Sequence, residues 1–200
     1  VANGSIALEP ASARVGQVAS ARVSALANGS SVLTSADGAM QIAPTLRGTR
    51  PVSAQSSDGL VVYPGGHADG DVVVRPRDDG AEDWVLLTRP PTGNAVEYDV
   101  ALTNGVAAIR KVANTVEFLD AAGAPRLRMA PPSLVDADCK TVAVDVKVTG
   151  CAVDTDGASP YGKRHPAPGS TSCRIALSWP PAAVKYPVSL DPTWSSTNEM

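Results

Sequence analysis

The sequence predicts an all-β protein, an antiparallel β-sandwich (as one domain or two packed β-subdomains) with little or no helix. Three observations carry that reading. Apolar runs of strand length, dominated by Val rather than by large rings, recur from residue 60 onward. The 17 Gly and 17 Pro fall largely between those runs, where tight turns need them. "TVAVDVKVTG" (141–150) alternates strictly, with Val142, Val144, Val146 and Val148 facing one way and Ala143, Asp145 and Lys147 the other.

Taken in order, "SIALEP" (5–10) and "AMQIAPTLR" (39–47) read as short strands. "ASARVGQVASARVSAL" (11–26) is assigned to strand, although its small residues would also suit a helix. Residues 1–57 are thinly patterned and are expected to pack on the same domain as the rest. The signal then sharpens in "LVVYP" (60–64), "DVVVRPR" (71–77), "DWVLLTRP" (83–90) and "VEYDVALT" (96–103). "GGHADG", "RDDGAE" and "PPTGN" separate them as turns. "TVEFLDAAGAPRLRMAPP" (115–132) reads as a hairpin turning near Ala122 and Gly123, with Asp120 able to bond its own backbone. Strand 141–150, "CRIALSW" (173–179) and "YPVSLDPTW" (186–194) complete the set. In the last of these, Asp191 before Pro192 is read as a turn-starter.

Composition narrows the function classes. A net charge of −3 supplies no field for nucleic acid or anionic lipid. No apolar run approaches the roughly 18 residues of a membrane-spanning helix. Val1 in place of an initiator Met leads us to expect a leader or upstream region that has been removed. Phe, Trp and Tyr make up only 4% of the chain. Trp84, Trp179, Trp194, Tyr98 and Phe118 are therefore expected to plug the core rather than to stack on sugars. For Trp194, packing against a following domain is the alternative.

The densest chemistry lies in "GCAVDTDGASPYGKRHPAPGSTSC" (150–173). Cys151 ends one predicted strand and Cys173 begins another, so a disulfide between them would close the loop if those strands pair. Three alternatives stay open: a zinc set of both thiolates with His165, a nucleophilic Cys–His pair, and a Cys139–Cys151 bridge. Cys139 is otherwise expected to be a free, partly buried thiol. The acidic turns 67–71, 77–83 and 154–157 cluster oxygen ligands as calcium sites do, with Asp154 and Asp156 the best placed. The terminal Glu of a twelve-residue calcium loop is missing, and Asp-Gly pairs form turns without metal. No Gly-x-Ser-x-Gly elbow and no phosphate-cradling loop is present, and His67 and His165 lie in loops without an evident Ser–Asp partner.

Three stretches, "EDWVLLTRPP", "VANTVEFLDAAGAPRLRMAPP" and "YPVSLDPTWS", in that order, resemble a module of large secreted or surface proteins of myxobacteria that precedes Kelch-type β-propeller repeats. A more distant likeness is to modules before Rhs/YD-repeat and DNRLRE-type regions. The resemblance spans roughly 58–200, and "SSTNEM" looks like the junction to such a propeller. It implies a non-catalytic extracellular β-module with no assigned catalytic residues, in which the positions of Cys151 and Cys173 also look like a cysteine pair. The expected function is a secreted or outer-surface spacer that caps or positions a neighbouring repeat domain of the same polypeptide. A carbohydrate- or matrix-binding module, calcium-assisted, and a hydrolase with an unrecognised site are the alternatives. An exposed pair of rings would point to binding, and a deep pocket joining His67 or His165 to carboxylates would point to an enzyme.

Overall fold

The computed structural model of the chain describes residues 5–8 and 20–197. The remainder of the 11–26 assignment, the end of "SIALEP" and the last three residues of the expected junction lie outside the described residues.

Two antiparallel sheets form a β-sandwich. Among the described residues, eighteen strands run in chain order: β1 (Ser5–Leu8), β2 (Ser20–Ser24), β3 (Val32–Thr34), β4 (Gln41–Leu46), β5 (Gln55–Ser57), β6 (Leu60–His67), β7 (Gly70–Arg77), β8 (Gly80–Leu87), β9 (Ala95–Asn104), β10 (Ala108–Val112), β11 (Thr115–Leu119), β12 (Pro125–Met129), β13 (Ser133–Val135), β14 (Thr141–Val142), β15 (Asp145–Thr149), β16 (Ser172–Ser178), β17 (Val188–Asp191) and β18 (Thr193–Ser196). The first sheet has the order β1-β2-β3-β4-β9-β16-β15. The second runs β10-β11-β12-β18-β8-β17-β13-β14, with the meander β5-β6-β7 joined to the other edge of β8. Two single-turn 3-10 segments, Thr92–Asn94 and Pro181–Ala183, are the only helical pieces among the described residues.

Period-two patterning builds the interior. In β16, Cys173, Ile175 and Leu177 point inward, and β9 sends in Val96, Tyr98 and Val100. Ala21, Val23, Leu33, Met40 and Ile42 from the thinly patterned start of the chain join the same core as Phe118, Leu127 and Trp194. Across the sheets, the rings of Tyr98 and Trp194 meet edge to face, 5.5 Å between centroids and 66° between planes. Trp194 is 1% exposed, so it plugs this core and offers nothing to a following domain.

Two predicted strands prove to be broken. The run 141–150 divides at Ala143-Val144: β14 belongs to the second sheet and β15 to the first. The valines keep their inward phase through the crossing, with Val144 4% and Val146 2% exposed, which is why the sequence reads as one strand. Asn114, in the turn between β10 and β11, covers the break. Its side-chain Nδ2 donates to the Val144 carbonyl at 2.7 Å, and its Oδ1 accepts the Val146 N–H at 3.2 Å.

The run 186–194 breaks at Pro192, which has no N–H for a ladder bond. Asp191 does not start a turn there. β17 and β18 continue along the same edge of β8, joined by the Asp83 N–H donating to the Pro192 carbonyl at 3.1 Å. Beyond β8 the sheet forks, β17 pairing with β13 and β18 with β12. Gly80 makes this close packing work. Its φ is +159°, and a Cβ there would stand 2.0 Å from the Trp194 carbonyl oxygen.

Candidate functional site

The chemistry-bearing side chains gather in three places, of which the stapled loop comes first. β15 and β16 pair, placing Cys151 and Cys173 with Cα atoms 5.3 Å apart in a disulfide. A bridged pair offers no thiolate, so the zinc set, the Cys–His nucleophile and the Cys139–Cys151 bridge are all overturned. Cys139 is free, and it is exposed rather than partly buried, because it sits at the tip of the β13–β14 connection with φ +59°.

From Cys151 the loop runs back along β10. Asp154 exchanges backbone bonds with it, donating to the Ile109 carbonyl at 2.9 Å and accepting the Lys111 N–H at 2.8 Å. Arg110, 7% exposed, ties the next turn down: its guanidinium donates to the carbonyls of Asp156, Gly157 and Ala158 and to Glu117 Oε2, the last at 2.6 Å. Sequence reasoning missed Arg110; "AIRKV", where it follows Ile109 and precedes Lys111, does not distinguish it from a solvated charge.

His165 stands between two acceptors, Nδ1 2.7 Å from Asp154 Oδ2 and Nε2 2.7 Å from the Pro160 carbonyl. Lys163 Nζ reaches both carboxylates of the calcium candidates, Asp154 at 3.2 Å and Asp156 at 2.8 Å. The Asp156 N–H, then His165 and Lys163, hold the Asp154 carboxyl down at about 2. An ammonium thus occupies the position between Asp154 and Asp156. No group of three or more His, Cys, Asp and Glu side chains suited to a metal is found among the described residues.

A cleft of about 330 Å³ is the second place, lined by Arg47, His67, Asp69, Pro91, Gly93 and Glu97. His67 lies at its floor, 5% exposed, with Nδ1 accepting the Asp69 N–H at 3.1 Å. Burial lowers the His67 pKa, and the Arg50 charge adds to that, against the nearby Asp69 carboxylate and the Arg47 carbonyl. The Asp69 carboxylate is turned to Arg89 Nε at 2.6 Å. Arg47 is bound to Asp99 at 2.6 Å and Glu97 at 3.2 Å. The expected test for an enzyme, a pocket joining a histidine to carboxylates, is met in composition. In pairing, His67 Nδ1 lies 3.9 Å from Asp69 Oδ2, while the same nitrogen accepts the Asp69 N–H and the carboxylate meets Arg89 more closely, at 2.6 Å.

The third place is β8 itself, where consecutive acidic residues enter opposite faces. Glu82, on the outer face, meets Arg75 Nη2 at 2.8 Å, and that guanidinium lies 5.3 Å above the Trp84 ring. Burial, with the Glu82 carboxylate beside it, lifts Asp191 to about 6. Asp83 faces inward in the alternation Ala81, Asp83, Val85, Leu87. Burial lifts its carboxyl to about 7, opposed by the Trp194 indole and the Tyr98 hydroxyl. As part of "RDDGAED" it was expected in an acidic turn; the strand begins at Gly80 and draws it into the interior.

No protein family, curated protein or solved structure matches the chain. No helix among the described residues is long and apolar enough to cross a membrane.

Proposed function

We propose that this chain is a non-catalytic structural module of a larger secreted or cell-surface protein, spacing or capping a neighbouring domain of the same polypeptide. The observation that carries the reading is the mutual engagement of its reactive side chains. His165, Asp154, Asp156, Lys163 and Arg110 are bonded to one another or to backbone carbonyls within the stapled loop. They tie a long excursion to the sandwich, and each of these five acidic and basic groups already has a partner. The buried Tyr98–Trp194 pair serves cohesion in the same way, which supports spacing over sugar stacking. The disulfide suits an oxidising compartment, and the likeness of 58–200 to modules preceding Kelch-type propellers supplies the expected context.

A spacer should resist force as a unit. Placed between reference domains and pulled, the chain is expected to give one cooperative unfolding event. Adding reductant should lengthen the released contour by about 70 Å, the reach of the sequence separation of 22 between the two cysteines. Gradual yielding without a force peak, or hydrolysis or tight binding of a polysaccharide in a parallel screen, would refute the proposal.

A further inference from the structure

Beside β8, between the two sheets, lies a pocket of about 30 Å³ that reaches solvent past the exposed Leu26. That is room for one or two waters. Its walls are largely apolar, including Pro44, Leu46, Val72 and Val74, yet Asp83 and Tyr98 open onto it. The Tyr98 hydroxyl and the neighbouring Trp194 indole N–H are both buried without a completed hydrogen bond. The titratable groups that face Asp83 are Tyr63 from β6 and Tyr98 from β9, while Asp191 of β17, beside Glu82 on the outer face, acts on it through its charge alone. Tyr63 already donates to the Ser24 carbonyl at 2.5 Å. None of these groups is a cation, and among the described residues no Lys, Arg or His forms an ion pair with Asp83.

A neutral carboxyl matches this setting, because it can accept from the indole while donating to the phenolic oxygen. A carboxylate could accept from both groups, but it would be a buried charge without a counter-charge, with the Asp191 charge nearby. We propose that Asp83 is a proton-controlled latch between the two sheets. Neutral, it lets the two sheets pack together beside this pocket; ionised, it draws water onto itself and loosens the second sheet from the first at that point.

The sign follows from linkage. A carboxyl raised in the folded state stabilises the fold fully below its unfolded value near 3.8, and that contribution is lost as pH rises through the folded value of about 7. The gap of about three pH units corresponds to a change on the order of a thousandfold in the unfolding equilibrium.

Two measurements test the latch on the whole chain. In a carbon-detected NMR titration of the parent, the Asp83 carboxyl is expected to titrate near neutrality. In urea unfolding from pH 4 to 8, the ratio of parent to Asp83→Asn unfolding constants is expected to grow by about a thousandfold. Parallel pH profiles for parent and variant would overturn the latch, as would titration of Asp83 in the usual carboxylate range. Should Asp83→Asn fail to fold, the titration of the parent decides alone.

Discussion

Asp120 shows how much one side chain can organise. Its Oδ1 accepts the N–H groups of Ala122 and Ala124, both at 2.9 Å, while Oδ2 takes Arg126 Nε at 2.7 Å. Together with Gly123 at φ +80°, this closes the hairpin between β11 and β12. Asp120→Ala leaves two turn amides unpaired and is expected to cost about 1–2 kcal/mol in urea unfolding. Gly80→Ala should cost at least as much, about 1–3 kcal/mol, because the added methyl meets the β18 backbone, which cannot step aside as a flexible side chain would. The cysteines give a third check. With the chain native and unreduced, a thiol reagent should modify Cys139 alone; labelling of Cys151 or Cys173 would remove the staple from the account.

At the scale of elements, breaks in strands are repaired by side chains from elsewhere. Asn114 supplies both a donor and an acceptor to the backbone where the chain passes from β14 to β15. Asn114→Ala should therefore speed hydrogen exchange at Val146 by tenfold or more while sparing amides in the middle of β9, about 1–1.5 kcal/mol of local protection. The loop 150–173 has its own pH window. Because the Asp154 carboxyl is held down at about 2, its stabilising bonds are complete above the ordinary value near 3.8 and are lost as pH falls from about 4 to about 2. Loop amides near Asp156 are expected to lose exchange protection in that window, and Asp154→Asn should remove the transition. The two acid effects run in opposite directions: acid releases the loop that Asp154 anchors and closes the seam that Asp83 governs.

Over the whole molecule, one apolar interior unites strands from both ends of the chain, since Val23 and Leu33 share it with Leu190 and Trp194. The all-β class was legible because Val-rich alternation and Gly/Pro punctuation are local signals. β6 to β9 and the hairpin at Asp120 could be approached from neighbouring residues in the chain, whereas the pairing of Cys151 with Cys173, 22 positions apart, waited on whether their strands pair. β3, β5, β10 and β13 were not anticipated, being short or weakly apolar segments that are strands because a partner edge accepts them. The candidate site was legible as a list of residues but not as a set of relations. His165 and Asp154 are 11 positions apart and Arg110 bonds 48 positions ahead to Ala158, distances over which residue type says nothing of contact.

By itself, then, the order of residues determined that this chain folds as strands, where most of them turn, and which faces are apolar, because each depends on neighbours one to four positions away. The tertiary structure alone decided that one valine run serves two sheets, that Lys163 stands between the two acidic ligand candidates, and that Asp83 is enclosed without a counter-charge. Those outcomes depend on which distant strands lie side by side. Sheet pairing is set by the packing of the whole interior and not by any one segment within it.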